Sequence, residues 1–356
     1  MMTNRIMKKL INCSLLAAVA ALLVSANPAN IRAQDMALST LLIDGEDWQV
    51  AAENLQFSDG PCADDKGNFY FAEMRSEPPA VWKISASGGK SKFIEGTSCS
   101  GLKWGPDGRL YACVGKDKQL VAFEFPGGKK TIIAEDVQPN DLVVTYKGHV
   151  YFTETGKKQV TFVNAKTGEK KAAYAAPVPA PAPGTDSKKK AAPAPYDPKI
   201  INAPNGITLS PDGGTLAVSD MRGLHVWTFR VEPDGSLSAQ SPYMTMRTPV
   251  DPDAKSADGR SPVYKTASSG DGMTSDEQGR YYVATALGVQ VFDPTGRLCG
   301  VLPKPSDKSM TSVGFGGPNR EYLFVTCGDK VFKRKVQAKG AIYFLPPKAQ
   351  PASKKK

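Results

Sequence analysis

Four oxygen-bearing side chains occupy equivalent places in a repeated pattern. Asp59, Asn140, Asn205 and Asp271 each stand eight residues before a glycine that ends a turn; these glycines are Gly67, Gly148, Gly213 and Gly279. Asn-Gly and Asp-Gly are also common turn sequences, but turns scattered at random would not keep a constant offset. Carboxylate and amide oxygens suit a hard cation. The spacing therefore predicts that these four residues form a metal site, for calcium first, with magnesium, manganese or zinc as alternatives.

The chemistry that such a set could perform is metal-assisted hydrolysis, in which a bound cation polarises a carbonyl and stabilises the oxyanion that develops. Asp271 is the candidate catalytic residue, as base or direct nucleophile, because a carboxylate there could touch both cation and water. Asn140 is the candidate substrate-binding residue. A serine triad is not indicated, since no GxSxG motif occurs. His149 and His225 are interpreted as structural or exposed.

The elements that must position these residues form a repeat. A turn ending in glycine precedes a short strand of aromatic and β-branched residues, as in 150–154 and 281–285. Successive turn glycines are 41, 40, 65 and 66 residues apart. Each long step contains an insertion, the Pro/Ala/Lys-rich 175–195 or the polar 251–268. Removing about 20 residues from each restores a period of about 40, which is typical of an array of like units.

Six units of several strands, with no long amphipathic helix, predict an all-β, six-bladed β-propeller. In that fold the starts of the innermost strands surround a central channel, which is where the four candidate ligands fall. The alternative is a pair of β-sandwiches or another repeat fold. The predicted organisation is a signal peptide over 1–33, the propeller over 34–345 with its low-complexity insert at 175–195, and a disordered basic tail over 346–356.

The amino terminus predicts export. Basic residues precede the apolar stretch 15–25, and Ala33 offers the small residue that a signal peptidase needs. The apolar run is short for a membrane span. We therefore expect a periplasmic or secreted protein, with no membrane attachment after cleavage, although an uncleaved anchor remains the alternative. The five cysteines that would remain could form disulfides after export, but the sequence leaves their pairing open.

The formal net charge of +10 does not indicate a nucleic-acid binder. Ten cations lie in the predicted signal, the insert or the tail, and without them the body is close to neutral. These are Arg5, Lys8, Lys9, Arg32, Lys188, Lys189, Lys190, Lys354, Lys355 and Lys356. We expect a small-molecule partner and a monomer or weak oligomer.

Several phrases, taken in their order, resemble the senescence marker protein/gluconolactonase family and its bacterial gluconolactonase branch. They are the stretches 139–144, 204–213, 271–279, 288–296 and 315–318, and the likeness covers about residues 53–336. The resemblance implies a six-bladed propeller that holds a calcium or other divalent ion and hydrolyses sugar lactones or, in relatives, organophosphate esters. It implies that Asp59, Asn205 and Asp271 bind the ion, and that Asn140 binds the ion or touches substrate.

The chain departs from that family pattern at three positions. Asp59 stands where the family usually has Glu, so the ion must shift or a water must intervene. Gln138 replaces an Arg that is often present in the family. Ser312 replaces the Asn that the family usually has near the position of Thr311. These departures keep a second class of function open: a non-catalytic exported propeller that binds a sugar or protein partner.

Overall fold

The computed structural model describes residues 36–177 and 196–347, and from Ala37 onwards they belong to one compact unit. The predicted signal peptide, most of the 175–195 insert and the tail beyond residue 347 lie outside the described residues. Six four-stranded antiparallel sheets make up the fold, which is the predicted six-bladed β-propeller. No helix in the described ranges is long and apolar enough to cross a membrane.

The first five blades run from the channel outwards in chain order. Blade I is β2 (Ser58–Ala63), β3 (Phe69–Glu73), β4 (Ala80–Ile84) and β5 (Lys90–Glu95); blade II is β6 (Leu102–Trp104), β7 (Leu110–Val114), β8 (Gln119–Glu124) and β9 (Lys129–Glu135); blade III is β10 (Leu142–Val144), β11 (Val150–Glu154), β12 (Gln159–Val163) and β13 (Lys170–Ala175); blade IV is β14 (Pro204–Leu209), β15 (Thr215–Asp220), β16 (His225–Val231) and β17 (Leu237–Thr245); blade V is β18 (Met273–Ser275), β19 (Tyr281–Thr285), β20 (Gly288–Phe292) and β21 (Leu298–Pro303).

The sixth blade joins the two ends of the domain. It consists of β22 (Met310–Gly316), β23 (Tyr322–Cys327), β24 (Lys330–Lys335) and, as outermost strand, β1 (Gln49–Ala52). The first strand of the chain therefore completes the last blade by antiparallel pairing with β24. Short 3-10 helices lie at Leu38–Thr40, Gly115–Asp117, Thr155–Lys157 and Pro318–Arg320.

The predicted turns between the two innermost strands are present in every blade. The five turn glycines have φ between +71° and +85°, a conformation that side-chain-bearing residues rarely adopt. The sixth turn instead places Asn319 and Arg320 at φ of 55° and 58°. These turns set the length of each inner hairpin, and so they fix how far the start of each first strand extends into the channel.

The core consists of six apolar clusters that lie between successive blades. Strands β3, β7, β11 and β19 are buried along their whole length, because each is covered by a neighbouring blade on both faces. Outer strands such as β5 and β9 are largely exposed. Burial between like units explains why the inner strands are continuously apolar and lack the polar alternation of a half-exposed sheet.

Candidate metal and hydrolase site

A ring of hydrogen bonds links the starts of the innermost strands around the channel. In each bond a side-chain hydroxyl or backbone N–H of one blade donates to a backbone carbonyl of the next. The bonds are Ser100 Oγ to Asn140 O (2.6 Å), Thr153 Oγ1 to Asn205 O (2.6 Å), Ser219 Oγ to Asp271 O (2.8 Å), Gly272 N to Thr311 O (2.9 Å) and Thr311 Oγ1 to Ser58 O (2.9 Å). Three of the four candidate ligands thus have their backbone fixed by the neighbouring blade.

Close backbone approach completes the ring between blades I and II and tightens it elsewhere. A Cβ atom added at Gly60 would lie 2.8 Å from the carbonyl oxygen of Ser100, and one added at Gly206 would collide with the carbonyl oxygen of Asp271. Only glycine permits such contacts. The glycine that follows a candidate ligand therefore lets adjacent inner strands meet.

The structure brings Asp59, Asn140, Asn205 and Asp271 to equivalent strand starts on blades I, III, IV and V. Asn205 is buried, with 6% of its surface exposed, while the other three keep partial contact with solvent. The amide nitrogen of Asn205 donates to the Met221 sulfur at 3.4 Å, so its amide oxygen is directed away from that contact. Asp59 Oδ1 accepts a bond from Gly60 N at 2.8 Å. The metal, catalytic and substrate roles of the four residues stay predictions.

A third carboxylate, which the sequence reasoning did not select, lies beside these ligands. Asp141 is 7% exposed, and its two oxygens accept bonds from Leu142 N (2.8 Å) and Ile207 N (3.3 Å). Lys103 Nζ lies 3.9 Å from its Oδ1. One signal could have identified it, because Asp141 occupies the place that a glycine fills in four other repeats; these are Gly60, Gly101, Gly206 and Gly272.

The three carboxylates repel one another in the metal-free channel. Burial, with further contributions from Asp59 and Asp141, raises the pKa of Asp271 well above its usual value. Burial and the Asp141 charge likewise raise the pKa of Asp59, against the lowering effect of the Gly60 N–H. Burial also raises the pKa of Asp141, and Lys103 and the two backbone N–H groups oppose that rise. A cation at the strand starts would relieve this repulsion.

The donor set fits a hard cation. Within residues 36–177 and 196–347, no three His, Cys, Asp or Glu side chains gather into a ready metal cluster. The candidate set instead combines two carboxylates with two amide oxygens, and such oxygen donors are what calcium and magnesium prefer. The absence of nitrogen and sulfur donors from the set disfavours zinc among the predicted alternatives.

Other residues considered in the sequence make structural contacts. His149 Nδ1 accepts the Ala165 N–H at 3.1 Å, and His225 lies within 3.4 Å of the Thr245 hydroxyl. Glu154 accepts the Gln138 N–H at 2.8 Å as well as the Thr161 hydroxyl. That contact holds the loop leading to Asn140, while Gln138 itself is exposed.

The opposite end of the channel is covered by the chain after the last strand. The Tyr343 hydroxyl lies 2.9 Å from the hydroxyl of Thr208 and 3.3 Å from that of Thr274, and it accepts the Ser275 N–H at 2.8 Å. Thr208 and Thr274 are three residues beyond Asn205 and Asp271, about 10 Å along their strands. Among the described residues, Tyr343 therefore closes the end of the channel that lies away from the candidate site.

The sequence profile described as SMP-30/Gluconolactonase/LRE-like region matches residues 57–329. The chain belongs to this family. No curated protein matches it in sequence.

The fold is shared with several solved structures. A gluconolactonase from Xanthomonas campestris is 18% identical, with a TM-score of 0.62 over 84% of this chain and 92% of that one. A calcium-binding regucalcin from Agrobacterium tumefaciens is 17% identical, with a TM-score of 0.62 over 85% and 97%. A luciferin-regenerating enzyme is 17% identical, with a TM-score of 0.60 over 86% and 100%. At these identities the structural likeness establishes the fold alone.

Proposed function

We propose that this chain is a divalent-cation-dependent hydrolase of small lactones or esters, with calcium as the preferred ion. The observation that carries the proposal is the ring of inner-strand contacts, which fixes two carboxylates and two amides at equivalent strand starts around one channel. Family membership supports it, as do a gluconolactonase and a calcium-binding protein among the structures that share the fold.

Each residue takes a defined part in the proposed reaction. Asp59, Asn205 and Asp271 hold the ion, which when bound supplies the positive charge that polarises a carbonyl. Asn140 orients the substrate by its amide. Asp271 accepts a proton from the attacking water as the water oxygen bonds to the carbonyl carbon. The same proton then passes to the alkoxide that leaves when the carbon–oxygen bond of the lactone breaks.

The raised pKa of Asp271 and the local contacts agree with that role. A carboxyl whose pKa lies above its usual value is a stronger base than an ordinary aspartate, and general bases work best when their pKa is near the working pH. The glycine contacts around Gly206 and Gly272 hold the backbone of Asp271 in place without covering its side chain, which keeps partial solvent contact.

The test is hydrolysis of a panel of small lactones and esters by the purified protein, with and without added Ca²⁺. Asp271→Ala and Asp271→Asn should abolish cation-dependent turnover, because both remove the base, and the alanine variant also removes a ligand oxygen. Asp107→Asn, on an exposed turn of blade II, is the matched control and should leave turnover unchanged.

Two results would count against the proposal. Turnover that persists in Asp271→Asn would exclude its role as the base. No turnover across the panel, in a protein that is folded and binds Ca²⁺, would favour the non-catalytic binding protein instead. Calcium binding measured directly by calorimetry keeps these outcomes apart.

We further propose that the protein is exported and that its signal peptide is removed after Ala33. The basic, then apolar, then small-residue pattern of the first 33 residues supports this. Cell fractionation and mass determination of the mature amino terminus test it. A cytoplasmic protein that retains residues 1–33 would refute it.

A further inference from the structure

Lys103 is a charged residue at a place where the other blades have none. It lies on β6, three residues beyond Ser100, and its side chain is 13% exposed. The equivalent residues of the other five blades are uncharged: Cys62, Val143, Thr208, Thr274 and Gly314. A nearly buried lysine requires a partner, because transfer of an ammonium group from water is costly.

The partner of Lys103 is the third channel carboxylate. Its Nζ lies 3.9 Å from Asp141 Oδ1 and donates to the Pro61 carbonyl oxygen at 3.4 Å. Asp141 adjoins the candidate ligand Asn140 in sequence and lies between blades II and IV, through its contacts with Lys103 and Ile207. The Lys103 charge therefore lies inside the same electrostatic environment as the candidate cation.

A count of formal charges shows what Lys103 does to that environment. Asp59, Asp141 and Asp271 together carry −3 when ionised, and Lys103 reduces the total to −2. We propose that Lys103 is a specificity residue that balances Asp141 and so sets the channel charge to match a divalent cation. This inference rests on the cation site proposed above, and it concerns the charge of the ion that the site prefers.

The physical basis is the scaling of Coulomb energy with ion charge. Removing one fixed positive charge near the site favours a bound ion in proportion to the charge of that ion. A trivalent ion therefore gains 1.5 times as much in the logarithm of affinity as a divalent ion of similar size and ligand preference. A purely structural role for Lys103 would change the two affinities by a common factor.

The experiment measures the affinities of Ca²⁺ and of Tb³⁺, each as the sole added metal, by calorimetry and by terbium luminescence at pH 8. Lys103→Met should bind Ca²⁺ at least about tenfold more tightly and Tb³⁺ at least about thirtyfold more tightly than wild type. Lys103→Arg keeps the charge and should retain both affinities. Lys103→Met combined with Asp141→Asn restores the total of −2 and should return both towards wild type.

Asp141→Asn alone gives an independent measurement if Lys103→Met fails to fold. This variant reduces the net negative charge of the channel from −2 to −1. Both affinities should therefore fall, and the affinity for Tb³⁺ should fall by the larger factor. Equal factors for the two ions, or a weaker or unchanged affinity in Lys103→Met, would overturn the inference while leaving the cation site intact. A wild-type protein that binds neither ion would overturn both the inference and the metal requirement of the proposed function.

Discussion

The substitution Asp271→Asn tests the electrostatics of the channel without requiring any activity. Asp271 is a partly exposed carboxyl whose pKa is raised by burial and by the charges of Asp59 and Asp141. Asparagine has nearly the same shape but no charge. The variant should therefore make the metal-free protein more stable at pH 8, although it removes one of the negative charges that would hold the cation and also the candidate base.

The magnitude follows from the raised pKa of Asp271 itself. Burial is the main cause, and the charges of Asp59 and Asp141 add to it, so the ionised carboxylate opposes folding when no cation is bound. One pKa unit corresponds to about 1.4 kcal/mol, and water reaches part of the group. We therefore expect a stabilisation of about 2 kcal/mol, or about 4 °C in the unfolding temperature of a domain this large.

The sign of the pH dependence is equally specific. Well below pH 4 the carboxyls are protonated in the folded and unfolded protein alike, so they impose no penalty. As pH rises from 4 to 7 they ionise more readily in the unfolded chain, and the metal-free wild type loses stability. Asp271→Asn should lose less over that range. Ca²⁺ at 100 times the wild-type dissociation constant should restore about 2.7 kcal/mol to wild type, and the same concentration should restore less to the variant, which binds the ion more weakly.

Thermal unfolding at pH 5 and pH 8, with chelator or with Ca²⁺, measures each of these effects. Asp107→Asn, at an exposed turn outside the channel, is the control for the chemical change itself. A metal-free Asp271→Asn protein that is less stable than wild type at pH 8 would refute the electrostatic argument. So would a stability difference that is the same at both pH values.

Three further substitutions test the scaffold by chemical denaturation. Asp276→Asn breaks a buried ion pair of 2.6 Å with Arg280 and should lower the free energy of unfolding by about 3–5 kcal/mol. Asp107→Asn breaks the more exposed equivalent pair in blade II and should cost under about 1 kcal/mol. Similar losses in the two variants would contradict the importance of burial. Gly206→Ala places a methyl group against the neighbouring inner strand, and it should cost about 1–3 kcal/mol of stability and weaken Ca²⁺ binding. Gly89→Ala is the control, because its Cβ meets only a serine hydroxyl at 3.4 Å. It should change neither the stability nor the Ca²⁺ affinity. Tyr343→Phe should cost about 1–2 kcal/mol, because it leaves buried hydroxyls under the channel without their partner. An unchanged unfolding midpoint would show that the hydrogen bonds of the Tyr343 hydroxyl contribute nothing to stability.

The sequence predicts the blades because the physical requirement repeats. Each inner hairpin needs a residue with positive φ at its turn, and each inner strand needs apolar residues on both faces. Gly148 and Gly279, with the strands that follow them, carry both signals. The repeat also reveals the candidate ligands. Each of them stands the same number of residues before its turn glycine, and this constant offset places all four at the same depth in the channel.

Features that break the repeat could not be predicted in this way. Asp141 and Lys103 acquire their importance from contacts between blades, and residues 38 positions apart give no local sign of such a pair. Tyr343 lies in a segment without strand periodicity, so no sequence pattern predicts its place under the channel. The pairing of β1 with β24 depends on residues nearly 300 positions apart, and neither strand carries a mark of its partner.

That pairing of the first strand with the last has a consequence for how the chain reaches its native state. On a ribosome, Gln49–Ala52 emerges early, yet its hydrogen-bonding partners in Lys330–Lys335 are made almost at the end of synthesis. Until then the ring is open, and blade I and the blade made most recently each expose an apolar face. The sixth blade cannot be completed before β24 has been made. A nascent chain of this architecture therefore has a long period during which exposed strand edges must be kept from other chains.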